Sequence, residues 1–140
     1  MTKDERIRWL RRSYRVGAIA DALTLVPMLS SKAGGAMFGI EDFDPPVEYK
    51  YAMGLGASLM AGWTLLLIWA DRKPVERKGV LPLTVFPVIF GIALTGAVTL
   101  AKSDLVKTRR MIPLFINQAA IAALFAYSYH NAGDLDEDPS

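Results

Sequence analysis

The sequence predicts an all-α integral membrane protein, an antiparallel four-helix transmembrane bundle with its N- and C-termini cytoplasmic. Three observations carry that expectation. The 140-residue chain is 52% hydrophobic, and its apolar residues gather in long blocks instead of alternating at the period of a soluble helix or strand. Residues 49–70, 81–101 and 111–129 form blocks of the length, about 20 residues, that crosses about 30 Å of hydrocarbon. Lysines and arginines cluster at the ends of these blocks, and inside them the one charge is Lys50, at the edge of the first.

The first span is the least apolar. Val16–Leu29 is short and contains Asp21. A span over residues 9–29 is long enough if Arg11, Arg12 and Arg15 lay their aliphatic stems along lipid and leave their guanidinium groups at the surface. A secretory signal peptide is the first rival, with small residues at Ser31–Ala33 resembling a cleavage site. Asp21 in the apolar stretch, and Asp4 and Glu5 in the leading segment, speak against it. A helix lying on the membrane is the second rival, and loop charge speaks against that. With four spans the inner side holds Lys3, Arg6, Arg8, Arg11, Arg12, Arg15, Arg72, Lys73, Arg77 and Lys78. The outer side holds Lys32, Lys50, Lys102, Lys107, Arg109 and Arg110. Three spans would reverse that bias. Residues 1–133 therefore read as one four-span membrane domain, followed by an acidic tail, 134–140, expected to be disordered.

Along the chain, Thr2-Lys3-Asp4-Glu5 fits a capping box at a helix start. The first loop, Ser30–Glu48, contains an apolar, glycine-rich stretch at residues 34–40 that is too short to cross and fits the outer headgroup region. Gly54, Ser58 and Gly62 on the second span form a small-residue seam that lets another helix approach, within or between protomers. Pro87 should bend the third span. Pro113 falls in the first turn of the fourth, where proline is tolerated. Trp9, Tyr14, Trp69, Tyr127 and Tyr129 mark one interface, and Tyr49 and Tyr51 the other.

Chemistry is sparsely marked. There is no cysteine, so no disulfide, thiolate or iron–sulfur chemistry. His130 is the single histidine, which argues against a haem or zinc site within one chain. The acidic loop residues Glu41, Asp42, Asp44 and Glu48 lack EF-hand spacing. No nucleophile-elbow, dinucleotide or phosphate-loop motif is present. The expectation is no catalytic residue, no metal and no cofactor. A net charge of +2 carried beside the spans points to anionic headgroups and not to nucleic acid.

The informative feature is polarity inside the spans. Asp21, Ser58, Thr95, Asn117 and Gln118 fall about 8–12 Å below the outer surface at 1.5 Å per residue, so all four helices bring polar groups to one layer. Hydrogen bonding between helices suffices for Ser58 and Thr95. It suits Asp21 less well, because a carboxylate at helix centre costs about 2.5–3.5 kcal/mol, which a proton, an amide partner or a ligand would offset. The leading functional reading is a non-enzymatic protein of the cell membrane: a scaffold, an accessory subunit or an apolar-ligand binder. The alternative is a small transporter or channel formed by a homo-oligomer around Asp21, and a lipid-modifying enzyme ranks third. Two further expectations follow. Lys107, Arg109 or Arg110 should pair with Glu41, Asp42, Asp44 or Glu48 across the outer loops, and Gly62→Leu should disturb packing of the second span.

Overall fold

The computed structural model describes residues 1–104 and 106–136, and no strand occurs among them. The elements are α1 (Lys3–Leu29), α2 (Ser31–Phe38), α3 (Val47–Asp71), α4 (Val80–Leu83), a π-helical stretch (Thr84–Ile89), α5 (Phe90–Lys102), α6 (Thr108–Asn131) and a short 3-10 turn (Gly133–Asp136). Three helical stretches, Val47–Asp71, Val80–Lys102 and Thr108–Asn131, are each long and apolar enough to cross a membrane. The number becomes four if α1 and α2, bent by 106° from one another, count as one broken span.

Each boundary has a local cause. The capping box forms as the sequence requires: the Thr2 hydroxyl accepts from the Glu5 N–H, and the Glu5 carboxylate accepts from the Thr2 N–H at 2.7 Å. That bond is the main reason the Glu5 carboxyl is held below its ordinary value. Glycine-rich residues 34–40, expected as loop, instead mostly belong to α2. The Ser30 hydroxyl caps it by accepting from the Ala33 N–H, and Gly39 ends it in the left-handed region at φ 73°. Gly34 permits the sharp turn, because a Cβ there would sit 2.9 Å from the Pro27 carbonyl oxygen. The third span is broken as its proline predicts. Phe86, just before Pro87, has extended dihedrals between otherwise helical neighbours.

Helix α1 lies alongside both α3 and α6, and α6 in turn touches α2, α4, the π-helical stretch and α5. Packing is concentrated at the end where the chain begins and finishes. Leu10, Tyr14, Ala18, Leu67, Ala70, Leu81, Phe125 and Ala132 form the buried core there, with Leu135 packed on it. Polar links tie the same end. Arg6 pairs with Asp134 and Arg15 with Asp71. The Tyr14 hydroxyl donates to the Pro74 carbonyl, and the Lys78 ammonium to the Ala132 and Gly133 carbonyls. The Arg77 guanidinium lies over the Trp69 ring and bonds the Trp69 carbonyl. Trp9 and Tyr127, expected at one interface, meet edge to face at 5.3 Å. Residues 137–140, most of the acidic tail, lie outside the described residues, whereas Asp134 and Leu135 make the contacts above.

Toward the other end fewer side chains are buried. Ile19, Leu23, Val26 and Leu29 on α1, Leu55 and Leu59 on α3, and Phe90, Leu94 and Val98 on α5 are exposed. Only Gly96 of α5 is buried, against Met111 and Phe115 of α6. In hydrocarbon such leucines and valines carry no penalty, since lipid tails are as apolar as they are.

Candidate functional site

The site is built on α1 and α6. On α1, Tyr14, Asp21 and Met28 recur every seven residues, which puts them on one side of a helix of 3.6 residues per turn. Tyr14 is fully buried. A Cβ on Gly17 would lie 2.5 Å from Phe125 Cζ and 3.0 Å from Leu67 Cδ1, so three helices close tightly one turn before Asp21. Two turns past Asp21, Met28 Cε would meet a Cβ on Gly56 at 2.7 Å. Asp21 therefore lies between two close approaches of α1 to α3. These pair residue 17 with 67 and residue 28 with 56, an antiparallel register.

On α6 and its C-cap the same spacing holds for Met111, Gln118, Phe125 and Ala132, and the first, third and fourth are buried. Gln118 thus occupies an inward position of α6. From the Gly17–Phe125 contact, Asp21 is about 6 Å farther along the bundle and Gln118 about 10 Å. Each keeps one oxygen, Asp21 Oδ2 and Gln118 Oε1, out of contact with solvent and without a hydrogen-bond partner. Buried polar atoms are nearly always paired, so two orphaned acceptors on neighbouring helices are unusual.

The other expected members of the layer lie elsewhere. Ser58 is exposed and donates to the Gly54 carbonyl of its own helix at 3.0 Å. Thr95 is exposed and donates to the Gly91 carbonyl at 2.9 Å. Asn117 is exposed. Among the described residues no hydrogen bond joins any two of the five. Hydroxyls that back-bond to the preceding turn need no neighbour, and this is why Ser58 and Thr95 can face away.

The small-residue seam on α3 also faces away from the rest of the chain. Nothing lies within 4 Å of a Cβ built on Gly54 or Gly62, whereas Gly17, Gly56 and Gly96 stand at close helix approaches. Sequence reasoning missed Gly17, although Ser13 four residues before it makes a small-residue pair on α1. It also missed Asp71, whose Oδ2 accepts from Arg15 Nε at 3.1 Å while its Oδ1 is buried and unpaired. Arg15 therefore has a carboxylate within reach in addition to the headgroups.

The first and third loops, expected to pair by charge, meet through other groups. The Lys107 N–H donates to the Phe38 carbonyl at 3.3 Å. No ion pair joins the loops among the described residues, and Asp44 pairs instead with Lys50 at 3.2 Å. No protein-family model, no curated protein and no solved structure matches this chain, so the assignment of function rests on this geometry alone.

Proposed function

We propose that the chain crosses the cell membrane four times with both ends cytoplasmic, and that it works as a non-enzymatic accessory subunit or scaffold. The observation that carries this reading is the unpartnered seam of α3. Gly54 and Gly62 present open space, and Ser58 between them is exposed. A small-residue face on a membrane helix gains its packing only when another helix approaches, and within this chain none does. The placement of α1 alongside α3 and α6 supports the fourth span, and the weight of Lys and Arg at the end holding both termini supports the orientation.

The test is a photo-crosslinker placed at residue 58 in cells, with residue 23 on the exposed face of α1 as the control. A defined protein product from residue 58 that Gly54→Leu/Gly62→Leu abolishes is the expected result. Equal, diffuse labelling from both positions defeats the proposal. Because the chain has no cysteine, Thr2→Cys and Asp104→Cys report topology directly. An impermeant thiol reagent applied to intact cells should label the second and not the first.

A second reading, an oligomeric transporter or channel, draws on the orphaned oxygens of Asp21 and Gln118. Asp21→Asn retains size and hydrogen-bonding capacity but removes titration. Under the scaffold reading this variant stays folded and keeps its crosslinked product. Under the transport reading it folds yet loses pH-dependent flux in liposomes.

A further inference from the structure

Between α2 and the first turn of α6 is an open recess of about 640 Å³ lined by Ala36, Met37, Lys107, Arg109, Arg110 and Pro113. We propose that this recess holds the phosphate of an anionic phospholipid headgroup. The inference rests on the membrane placement above but is independent of the α3 seam.

Four observations converge on a lipid. The three cations are exposed, and none makes an ion pair among the described residues. The acids that sequence would place beside them do not neutralise them, since Asp44 turns to Lys50 and no described ion pair includes Glu41, Asp42 or Glu48. The stems of two of the cations lie against Gly39. Gly39, in the left-handed region, leaves room for the stems of Lys107 and Arg110, and a Cβ there would meet Lys107 Cδ at 3.0 Å and Arg110 Cγ at 3.2 Å. Finally, the floor is apolar. Ala36, Met37 and Pro113 lie beside the charges, and Ile112 and Ile116 continue along α6 as exposed surface.

A free phosphate would use the cations and ignore the floor. A phospholipid uses both, placing its phosphate among guanidinium and ammonium groups at the first turn of an apolar helix and its acyl chains along the isoleucines. A bound anionic lipid also accounts for a basic cluster at the end of the bundle that carries fewer positive charges.

The experiment compares lipid retained by the purified protein, read by native mass spectrometry after extraction from vesicles of phosphatidylcholine mixed with phosphatidylglycerol. Wild type should retain phosphatidylglycerol preferentially. Lys107→Gln/Arg109→Gln/Arg110→Gln should lose that preference, at about fivefold per cation removed. Arg8→Gln/Arg11→Gln, at the opposite end, should keep it. Gly39→Ala leaves net charge unchanged and should still weaken the preference, because it displaces two of the cations. Excess inorganic phosphate should not displace the lipid. Full displacement by phosphate overturns the lipid assignment, and unchanged retention in the triple variant overturns the site. Release of the wild-type protein from membranes by alkaline carbonate would instead overturn the membrane placement on which the inference rests.

Discussion

Ser13 and Ser128 are both buried, and the Ser13 hydroxyl donates to Ser128 Oγ at 2.8 Å while Ser128 donates to the Trp9 carbonyl at 3.3 Å. This relay joins the first and last long helices. Ser128→Ala leaves the Ser13 hydroxyl unpaired in the core and should destabilise by about 1–3 kcal/mol. Ser13→Ala/Ser128→Ala removes both groups and should recover part of that loss. Thermal unfolding of the four-member mutant cycle in detergent measures the coupling, and strict additivity would show that the relay contributes nothing. Glu5 gives a pH dependence of the first turn. Its carboxyl is held below the ordinary value of 4.5 by the Thr2 N–H, so its support for the helix start is complete above that value. The support is lost as pH falls through the lower folded value. Amide exchange at residues 5–7 should accelerate in acid, and in Glu5→Gln that acid-dependent rise should shrink. The capping box was legible because all its members lie within four residues. The serine relay was not, because its partners are 115 positions apart and a serine among arginines reads as surface.

Among the elements, those governed by local chemistry could be read ahead, and those governed by contact between helices could not. Pro87 announced the break in the third span. Nothing in residues 31–38 announced α2, whose helical form depends on the Ser30 cap and on Gly34 fitting against Pro27. The glycines divide the same way. A repeat made the Gly54–Ser58–Gly62 seam visible, while the glycine that brings three helices together, Gly17, stands alone in its helix. Gly17→Ala should therefore lower stability by about 1–3 kcal/mol, since its Cβ overlaps the Phe125 ring and leaves Leu67 little room. Gly62→Ala should leave the stability of the isolated protomer unchanged, because open space surrounds it. Paired thermal melts decide this. A Gly62→Ala loss equal to that of Gly17→Ala in a verified monomer would contradict the placement of α3.

On the scale of the whole molecule, the apolar blocks made the helical membrane character legible, and their loop charges suggested which ends lie together. Of the expected polar layer, Asp21 and Gln118 occupy the inward register of α1 and α6, each with one buried oxygen unpaired. Ser58, Thr95 and Asn117 share their depth but not their facing, and depth along a helix carries no information about facing until the packing partners are known. Because the buried core gathers at the end holding both termini, amide exchange should be slowest around Leu67 and Phe125 and faster in the less buried parts of α1 and α5. That core also sets an order of events during synthesis. Its members run from Leu10 through Leu67, Ala70 and Leu81 to Phe125 and Ala132, so no part of the chain can complete it before nearly all of it has left the ribosome. On the proposed four-span topology, α1 would hold Asp21 and its arginines in the bilayer without Phe125 or Ser128 until α6 arrives. A nascent chain stopped after residue 107 should enter the membrane and then be cleared by quality-control proteases. Survival of that stopped chain at the level of the full-length protein would show that the last helix is not needed to complete the molecule.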